Sequence, residues 1–471
     1  MAAALSEVVG GPVGRRARPH SWWTPVRVVL AAFTVVFALG LVQKYPCGET
    51  HWSNQDVRYS KMCYSDVPYL YTERGFAQQH WPYADSDGRY TVMEYPVLIS
   101  YLAWGASKIT ALMPSGPSEQ VREATPVANL WGLPGMTTEV NTYFLVTAVL
   151  LFLCGLGSVL FLAGASPGRP WDAMAFALSP VLLLSGLVNW DLLAVLFTAG
   201  ALWAWARGRP VLAGVMVGLG VAAKLYPLFL LGAFLVDALW GGRRRRRLDR
   251  WGLATAGAAV AWLLANLPAL FSGPSEWRYF WTFNSDRGAD LGSLWLLADQ
   301  LGWHSDPHRI NLVSGGVFGL ACLAVLALGL SAPRRPRVAQ VAFLVVVAFL
   351  VVNKVYSPQY VLWLLPLAVL ARPRWRDLLI WQACEVLYFA AVWIYLGGWL
   401  APSSGSDASA YQLAIVVRVA GELYLAALVA RDVAQGRGVA PRSGDLDPVE
   451  AGGGEPDPDL DGVTDRGHVG V

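Results

Sequence analysis

Asp66 stands in Tyr64-Ser65-Asp66, at the start of a helical-looking stretch in the long polar segment that follows the first apolar run. A carboxylate placed there can take the proton from a hydroxyl as that hydroxyl attacks a sugar's anomeric carbon. The competing reading is an N-cap, because Ser65 or Asp66 precedes the stretch 67–79. Two lysines further on share a local pattern, Lys224-Leu225-Tyr226-Pro227 and Lys354-Val355-Tyr356-Ser357-Pro358. Lysine occurs only at 44, 61, 108, 224 and 354, so a lysine beside an apolar run calls for an explanation. A departing phosphate gains negative charge, and fixed cations speed its departure. Snorkelling toward lipid headgroups is the competing reading for either lysine.

Other residues offer chemistry at lower specificity. Asn189-Trp190-Asp191 sits in a tight turn between two apolar runs, where Asp191 either pairs with Lys224 or orients a substrate. Glu94, just before Tyr95-Pro96, reads as a second acid or as a cap for the helix that follows. Tyr69, with Tyr64 and Tyr71, packs around Asp66 in this reading. Asp85-Ser86-Asp87 has a spacing that a divalent metal would accept, although solvated loop acids often look the same. Arg418 and Glu422 stand four apart, with Glu385 at similar depth in the preceding apolar run, and read as a buried ion-pair cluster. The five cysteines form no metal framework. Cys154, Cys322 and Cys384 read as inert core, whereas Cys47 and Cys63 share one loop and are expected to bridge.

The elements that must position these residues are membrane spans. Of 471 residues, 55% are hydrophobic and 15% charged, and the mean hydropathy is +0.42. These values exceed the soluble norm. Apolar runs occur near 26–43, 140–164, 172–188, 191–206, 211–240, 251–271, 311–331, 339–353, 358–371, 378–398 and 411–430. Arginines fall between them at 207/209, 243–247 with 250, 334/335/337, 372/374/376 and 431/437. By the positive-inside rule these loops are cytoplasmic. The run 211–240 then has to cross twice, turning near Lys224-Leu225-Tyr226-Pro227. The stretch 95–112 cannot cross without flipping every later arginine loop, so it is expected to lie on the outer membrane surface. About twelve spans follow, with both termini inside. The segment 1–25 is cytoplasmic, the membrane domain covers 26–430 with a first outer loop at 44–139, and 431–471 is a disordered acidic tail. No internal repeat is evident. The arginine run 243–247 reads as an orientation signal, not as a nucleic-acid site.

As an ordered set, these stretches resemble the GT-C superfamily of membrane glycosyltransferases. The resemblance is to glycosyltransferase family 87, which contains polyprenyl-phosphomannose-dependent mannosyltransferases of actinobacteria. The stretches are Ser65-Asp66-Val67-Pro68-Tyr69-Leu70-Tyr71 with Arg74-Gly75-Phe76, Glu94-Tyr95-Pro96-Val97, Asn189-Trp190-Asp191, Lys224-Leu225-Tyr226-Pro227 and Lys354-Val355-Tyr356-Ser357-Pro358-Gln359-Tyr360. The resemblance implies that Asp66 is the acidic residue of the first outer loop, the base. It also implies a juxtamembrane helix at 95–112. The family often has Tyr-Pro-Pro where this chain has Tyr95-Pro96-Val97. Tyr64-Ser65 precede Asp66, where a second acid is common in the superfamily, so a two-acid, metal-assisted site is not implied.

The expected protein is an all-α, polytopic GT-C-type bundle in the plasma membrane. It moves a sugar, mannose by resemblance, from a polyprenyl phosphate to a glycolipid, polysaccharide or protein on the extracytoplasmic face. Asp66 is the base, and configuration at the anomeric carbon inverts. Lys224, Lys354 and Arg287 hold the phosphate. Asp191, Glu94, Tyr69, Arg74, Tyr356 and Gln359 complete the substrate site. No cofactor is expected, with a divalent metal left open. A transporter or flippase of a lipid-linked sugar and a non-catalytic envelope assembly protein are the alternatives; broken helices suit the first.

Overall fold

The computed structural model describes residues 22–84, 88–240, 244–401, 405 and 407–436. Asp85 and Asp87, Arg243, and most of the expected terminal segments 1–25 and 431–471 lie outside the described residues. Those that are described form helices and loops, with no strand.

Helix α1, Pro25–Glu49, opens with Thr24 as its cap and Pro25 in the first turn. The first loop carries the short helices α2 (Gln55–Ser60), α3 (Asp66–Glu73), α4 (Val97–Thr110) and α5 (Glu119–Ala124). Then follow α6 (Met136–Ala165), α7 (Met174–Ala177), α8 (Pro180–Ser185), α9 (Leu192–Ala206), α10 (Pro210–Ala223), α11 (Phe229–Leu239) and α12 (Arg244–Ser272). The second loop region holds α13 (Pro274–Asp286) and α14 (Leu294–Gln300). The chain closes with α15 (Pro307–Ser331), α16 (Val338–Val352), α17 (Val361–Ala371), α18 (Trp375–Leu396) and α19 (Ser409–Ala434).

Six of these helices are long and apolar enough to cross a membrane: α1, α6, α12, α15, α18 and α19. Five shorter apolar stretches, in α9, α10, α11, α16 and α17, complete the bundle. Helix α17 is buried on every side, from Val361 to Ala371, which is how a helix apolar all round is satisfied inside a bundle. By contrast α15 has a mean hydropathy of 2.2 in its most apolar window, of which only 6% is buried. Leu312, Leu320 and Leu323 stand more than 60% exposed on it. Water would not tolerate so continuous an apolar face, and lipid does.

The turn at Lys224 is real. Gly214 lies against the Ala254 carbonyl and Gly218 against that of Ala258, so closely that a Cβ at either would collide with backbone. Moving four residues along α10 thus moves four along α12. The two helices run parallel in direct contact, and α11, which connects them in the chain, runs back the other way. This arrangement brings Arg250 over the Trp205 ring at 5.2 Å, at the same end as Arg207, which donates to the Gly164 carbonyl at 3.1 Å. Arg335 joins Asp237 there, Arg337 reaches the Ala371 carbonyl, and Arg372 holds Asp377 and Asp432. The arginine loops gather at one end of the bundle, and the long loops at the other.

One expectation about an element changes, and another holds. The run 172–188 is not one helix. It divides into a 3-10 turn at Pro170–Ala173, α7 and α8, because Pro180 restarts the backbone with Ser179 as its cap. The stretch 95–112 forms α4, whose 14 residues reach only about 21 Å, short of a core of about 30 Å. It lies at the loop end, where the Tyr101 hydroxyl donates to the Ala265 carbonyl and the Tyr143 hydroxyl to that of Ala103.

Glu139, in the first turn of α6, fastens the first loop. It accepts from the Tyr71 hydroxyl at 2.6 Å, from both terminal nitrogens of Arg122 at 2.5 and 2.7 Å, and from the Gly116 amide at 2.9 Å. A disulfide joins Cys47 to Cys63, as expected. Of the other cysteines only Cys154 is buried; Cys322 and Cys384 are partly exposed, which corrects their reading as core.

Candidate functional site

Ser65, not Asp66, caps α3. The Ser65 hydroxyl accepts from the Val67 amide at 3.3 Å and donates to the Val188 carbonyl at 3.2 Å. The Asp66 amide also donates to Val188, at 2.8 Å. These bonds lock the start of α3 onto the turn before Asn189 and leave the Asp66 carboxylate free of any capping duty. Instead it accepts from the Tyr95 hydroxyl at 2.8 Å. The side chain remains partly exposed.

The desolvated setting raises the Asp66 pKa above the ordinary carboxylate range. The Tyr64 and Tyr95 hydroxyls oppose that shift, Glu94 adds to it, and Lys224 opposes it. A carboxylate raised in this way is a stronger base than one in water and remains open to a substrate. Tyr95 stays a donor, because burial and the charges of Asp66, Glu94 and Asp191 push its own ionisation well above the ordinary value.

Lys224 and Asp191 form a buried pair at 2.9 Å, with side chains 10% and 1% exposed. The second Asp191 oxygen accepts from Trp363 Nε1 at 2.9 Å. The ammonium also lies 4.5 Å from the Tyr95 ring centre and 5.9 Å from those of Tyr360 and Trp363. Of the two readings for Asp191, pairing with Lys224 is the one realised. Lys224 is therefore a cation already matched, although its field still reaches Asp66.

Lys354 differs, despite the similar local sequence. It is partly exposed and donates to the Asn311 side chain at 2.7 Å and the Ser285 carbonyl at 3.1 Å, with no ion-paired carboxylate among the described residues, although the charge of Asp286 reaches it. Burial, then the nearby Arg287, lower its pKa. Arg287 bonds Asp290 at 2.8 Å, and the Asp290 amide donates to the Lys354 carbonyl at 2.8 Å. Two cations thus share one polar corner.

The remaining expected residues divide. Arg74 joins Glu94 at 3.0 Å and Glu73 at 3.1 Å. Tyr69 stacks on Tyr64 at 5.5 Å and donates to the Trp52 carbonyl, so it shapes the wall behind Asp66. Gln359 is buried with an unsatisfied amide oxygen. Tyr356 does not belong to the site. It is fully buried, donates to Glu385 at 3.0 Å, and carries the Arg418 guanidinium 3.6 Å over its ring.

The Arg418 cluster nevertheless supports the site. Arg418 pairs with Glu422 at 3.0 Å and donates to the Gly292 carbonyl at 3.0 Å. Gly292 has φ +69°, and a Cβ there would strike the Tyr388 hydroxyl. The Tyr356 amide donates to the Leu291 carbonyl at 2.7 Å. The buried cluster thus pins the loops that carry Arg287 and Lys354.

Sequence reasoning missed Lys44 and Trp363. Lys44 is 1% exposed and donates to the Tyr64 carbonyl at 2.9 Å. Trp363 closes the cage over Lys224. The rarity of lysine was the available signal for the first.

An apolar groove of about 350 Å³, including space open to solvent, begins beside Tyr95 and Leu225. Pro96, Trp262, Trp277, Phe280 and Trp281 line its walls, from α4, α12 and α13. Among the described residues no group of three or more His, Cys, Asp or Glu is arranged to hold a metal, and Asp85 and Asp87 are outside that set.

No curated protein matches the chain. Among solved structures, the crystal structure of ArnT from Cupriavidus metallidurans bound to undecaprenyl phosphate superposes with a TM-score of 0.41 at 14% identity. That match covers 87% of this chain and 77% of ArnT. Over residues 125–353, from the end of the first loop to the residue before Lys354, the chain matches the family model of glycosyltransferase family 87.

Proposed function

We propose that this protein is a GT-C-type membrane glycosyltransferase that moves a sugar from a polyprenyl-phosphate donor to an acceptor hydroxyl, with Asp66 as general base. The acceptor oxygen attacks the anomeric carbon, and its proton passes to Asp66. The bond from that carbon to the phosphate oxygen breaks, and its electron pair leaves with the polyprenyl phosphate. Lys354 and Arg287 receive the added negative charge. The aromatic groove beside Tyr95 takes the first part of the polyprenyl chain.

The carrying observation is the Asp66 carboxylate. It is uncapped, partly open and raised in basicity, and it accepts from the hydroxyl of Tyr95, which also lines the apolar groove. Inversion is part of this reading, and the state of the other acids supports it. Retention by double displacement needs a second free carboxylate as nucleophile. Asp191 is spent on Lys224 and Trp363, and Glu94 on Arg74. Mannose and an extracytoplasmic site belong to the same reading, supported by the family match and by the gathering of arginines at the opposite end.

The test is purified protein in detergent, given polyprenyl-phosphate mannose labelled in the sugar and a membrane glycan extract as acceptor. Label appearing in glycan, with release of polyprenyl phosphate, supports the reading. Lipid-linked label that only changes leaflet in proteoliposomes marks a flippase. Neither outcome, with folded protein, marks an assembly protein.

A further inference from the structure

We infer that the acidic segment 445–465 of this chain docks on a track of arginines across the arginine end of its own bundle. The track begins at Gly436, the last described residue, whose carbonyl accepts from the Arg334 guanidinium at 3.4 Å. The next residue, Arg335, grips both oxygens of Asp237 at 2.7 and 2.8 Å. Asp237 also accepts from Trp205 Nε1 at 3.1 Å, and the Trp205 ring carries the Arg250 guanidinium at 5.2 Å. That guanidinium lies against Gly208, where an added Cβ would stand 3.9 Å from it. Arg207 and Arg209 flank Gly208, with Arg209 5.6 Å over the Trp203 ring. Contacts thus run unbroken from the start of the terminal segment to the turn between α9 and α10.

Most of this charge is unmatched. Arg207, Arg209, Arg245 and Arg334 are exposed and Arg250 half-buried. None of them has an ion-paired carboxylate among the described residues. Asp249, exposed one residue before Arg250, offsets one of these charges. A surface with such an excess draws anions, and the chain carries its own. Between 445 and 465 it has eight acids and no basic residue. Apolar side chains are sparse there, so charge is what the segment offers a partner. The connecting residues 437–444 span up to about 28 Å when extended, which lets the acids reach the track. Tethering sets their effective concentration near the arginines at about millimolar. Anionic lipid headgroups compete for the same guanidinium groups, but the segment is attached beside them and its charges arrive together.

Arginine reactivity reads the contact directly. The full chain is placed in nanodiscs of phosphatidylcholine and phosphatidylglycerol and treated with phenylglyoxal, which modifies accessible guanidinium groups. Labelling of Arg209, Arg250 and Arg334 is followed by peptide mass spectrometry. In a variant with every acid from 445 to 465 changed to its amide, these rates should rise about three-fold or more. Ending the chain after Gly436 should give the same rise. So should about 1 M salt on the unaltered chain, where the screening length is about 3 Å. Arg309, exposed at the start of α15 at the other end of the bundle, should not respond to either variant. Rates equally slow in the unaltered chain and both variants would assign the arginines to lipid headgroups. Rates equally fast in all three would leave the track uncovered. Either result overturns the inference. No sugar transfer is read, so failure of the glycosyltransferase reading leaves this result standing.

Discussion

The two ends of the bundle use the same side chains to opposite purposes. At the arginine end, carboxylates are consumed. Asp377 is held by Arg372 and Arg376 and accepts from Tyr424, Asp432 meets Arg372, and both Asp237 oxygens accept from Arg335. Such matched sites fasten helices together and leave no acid for chemistry. At the loop end, Asp191 and Lys224 repeat that arrangement, but Asp66 does not. It has a hydroxyl donor in Tyr95, no ion-paired cation among the described residues, a partly open face and a raised pKa. Lys354 is its counterpart, a cation with no ion-paired carboxylate among the described residues. An incomplete match between acid and base is what separates a site from a staple here.

Breaking a staple should have the largest effect. Arg372→Met leaves Asp377 and Asp432 facing apolar helices and should cost about 3–5 kcal/mol. Lys224→Ala does the same to Asp191. Both variants should show lower melting temperatures in detergent and reduced accumulation. An unchanged melting point for Lys224→Ala would mean that the pair with Asp191 is not structural, and would restore Lys224 as a phosphate ligand.

Lys354→Ala should behave differently. It orphans no acid, so melting should hold while use of the lipid donor falls about 10- to 150-fold, the loss of one charge-assisted contact. Normal kinetics would assign Lys354 to the membrane surface. Replacing Cys47 and Cys63 together by serine should cost up to about 3 kcal/mol in the chain-entropy model. It should not change donor specificity. Tyr95→Phe removes the hydroxyl donor to Asp66 and should cost about 1 kcal/mol, roughly a five-fold loss of rate.

The pH dependence follows from the raised carboxyl. A base works only when deprotonated, so transfer should fall as pH drops through the Asp66 pKa. Because that value lies above the ordinary carboxylate range, the fall should begin at higher pH than for a solvated aspartate. Initial rates across pH, with folding checked at each point, would show it.

Much of this was legible in the residues. The arginine spacing foretold the fold-back of 211–240, since a basic loop on each side of 30 residues demands two crossings. Asp66 was singled out, but the N-cap alternative stayed open, because Ser65 and Asp66 cap equally well on paper. Only the contact with Val188, far along the chain, decides between them. The two lysine motifs read alike and diverged. Lys224 faces a carboxylate supplied by the preceding hairpin, and Lys354 faces an amide. Tyr356 looked like part of the second motif, yet its ring turns inward to Arg418. Side-chain direction at a loop depends on distant partners, and local spacing carries no record of them.

The central claim is that Asp66 takes the acceptor's proton. Asp66→Asn keeps the shape and can still accept from Tyr95, but it has lost the basic oxygen. The direct measurement is the initial rate of labelled sugar transfer by this variant, at wild-type protein levels and with donor binding checked separately. A loss of about 10² to 10⁴ in rate, with donor binding close to wild type, is the predicted result. Transfer at the wild-type rate would contradict the assignment of the base and the mechanism built on it.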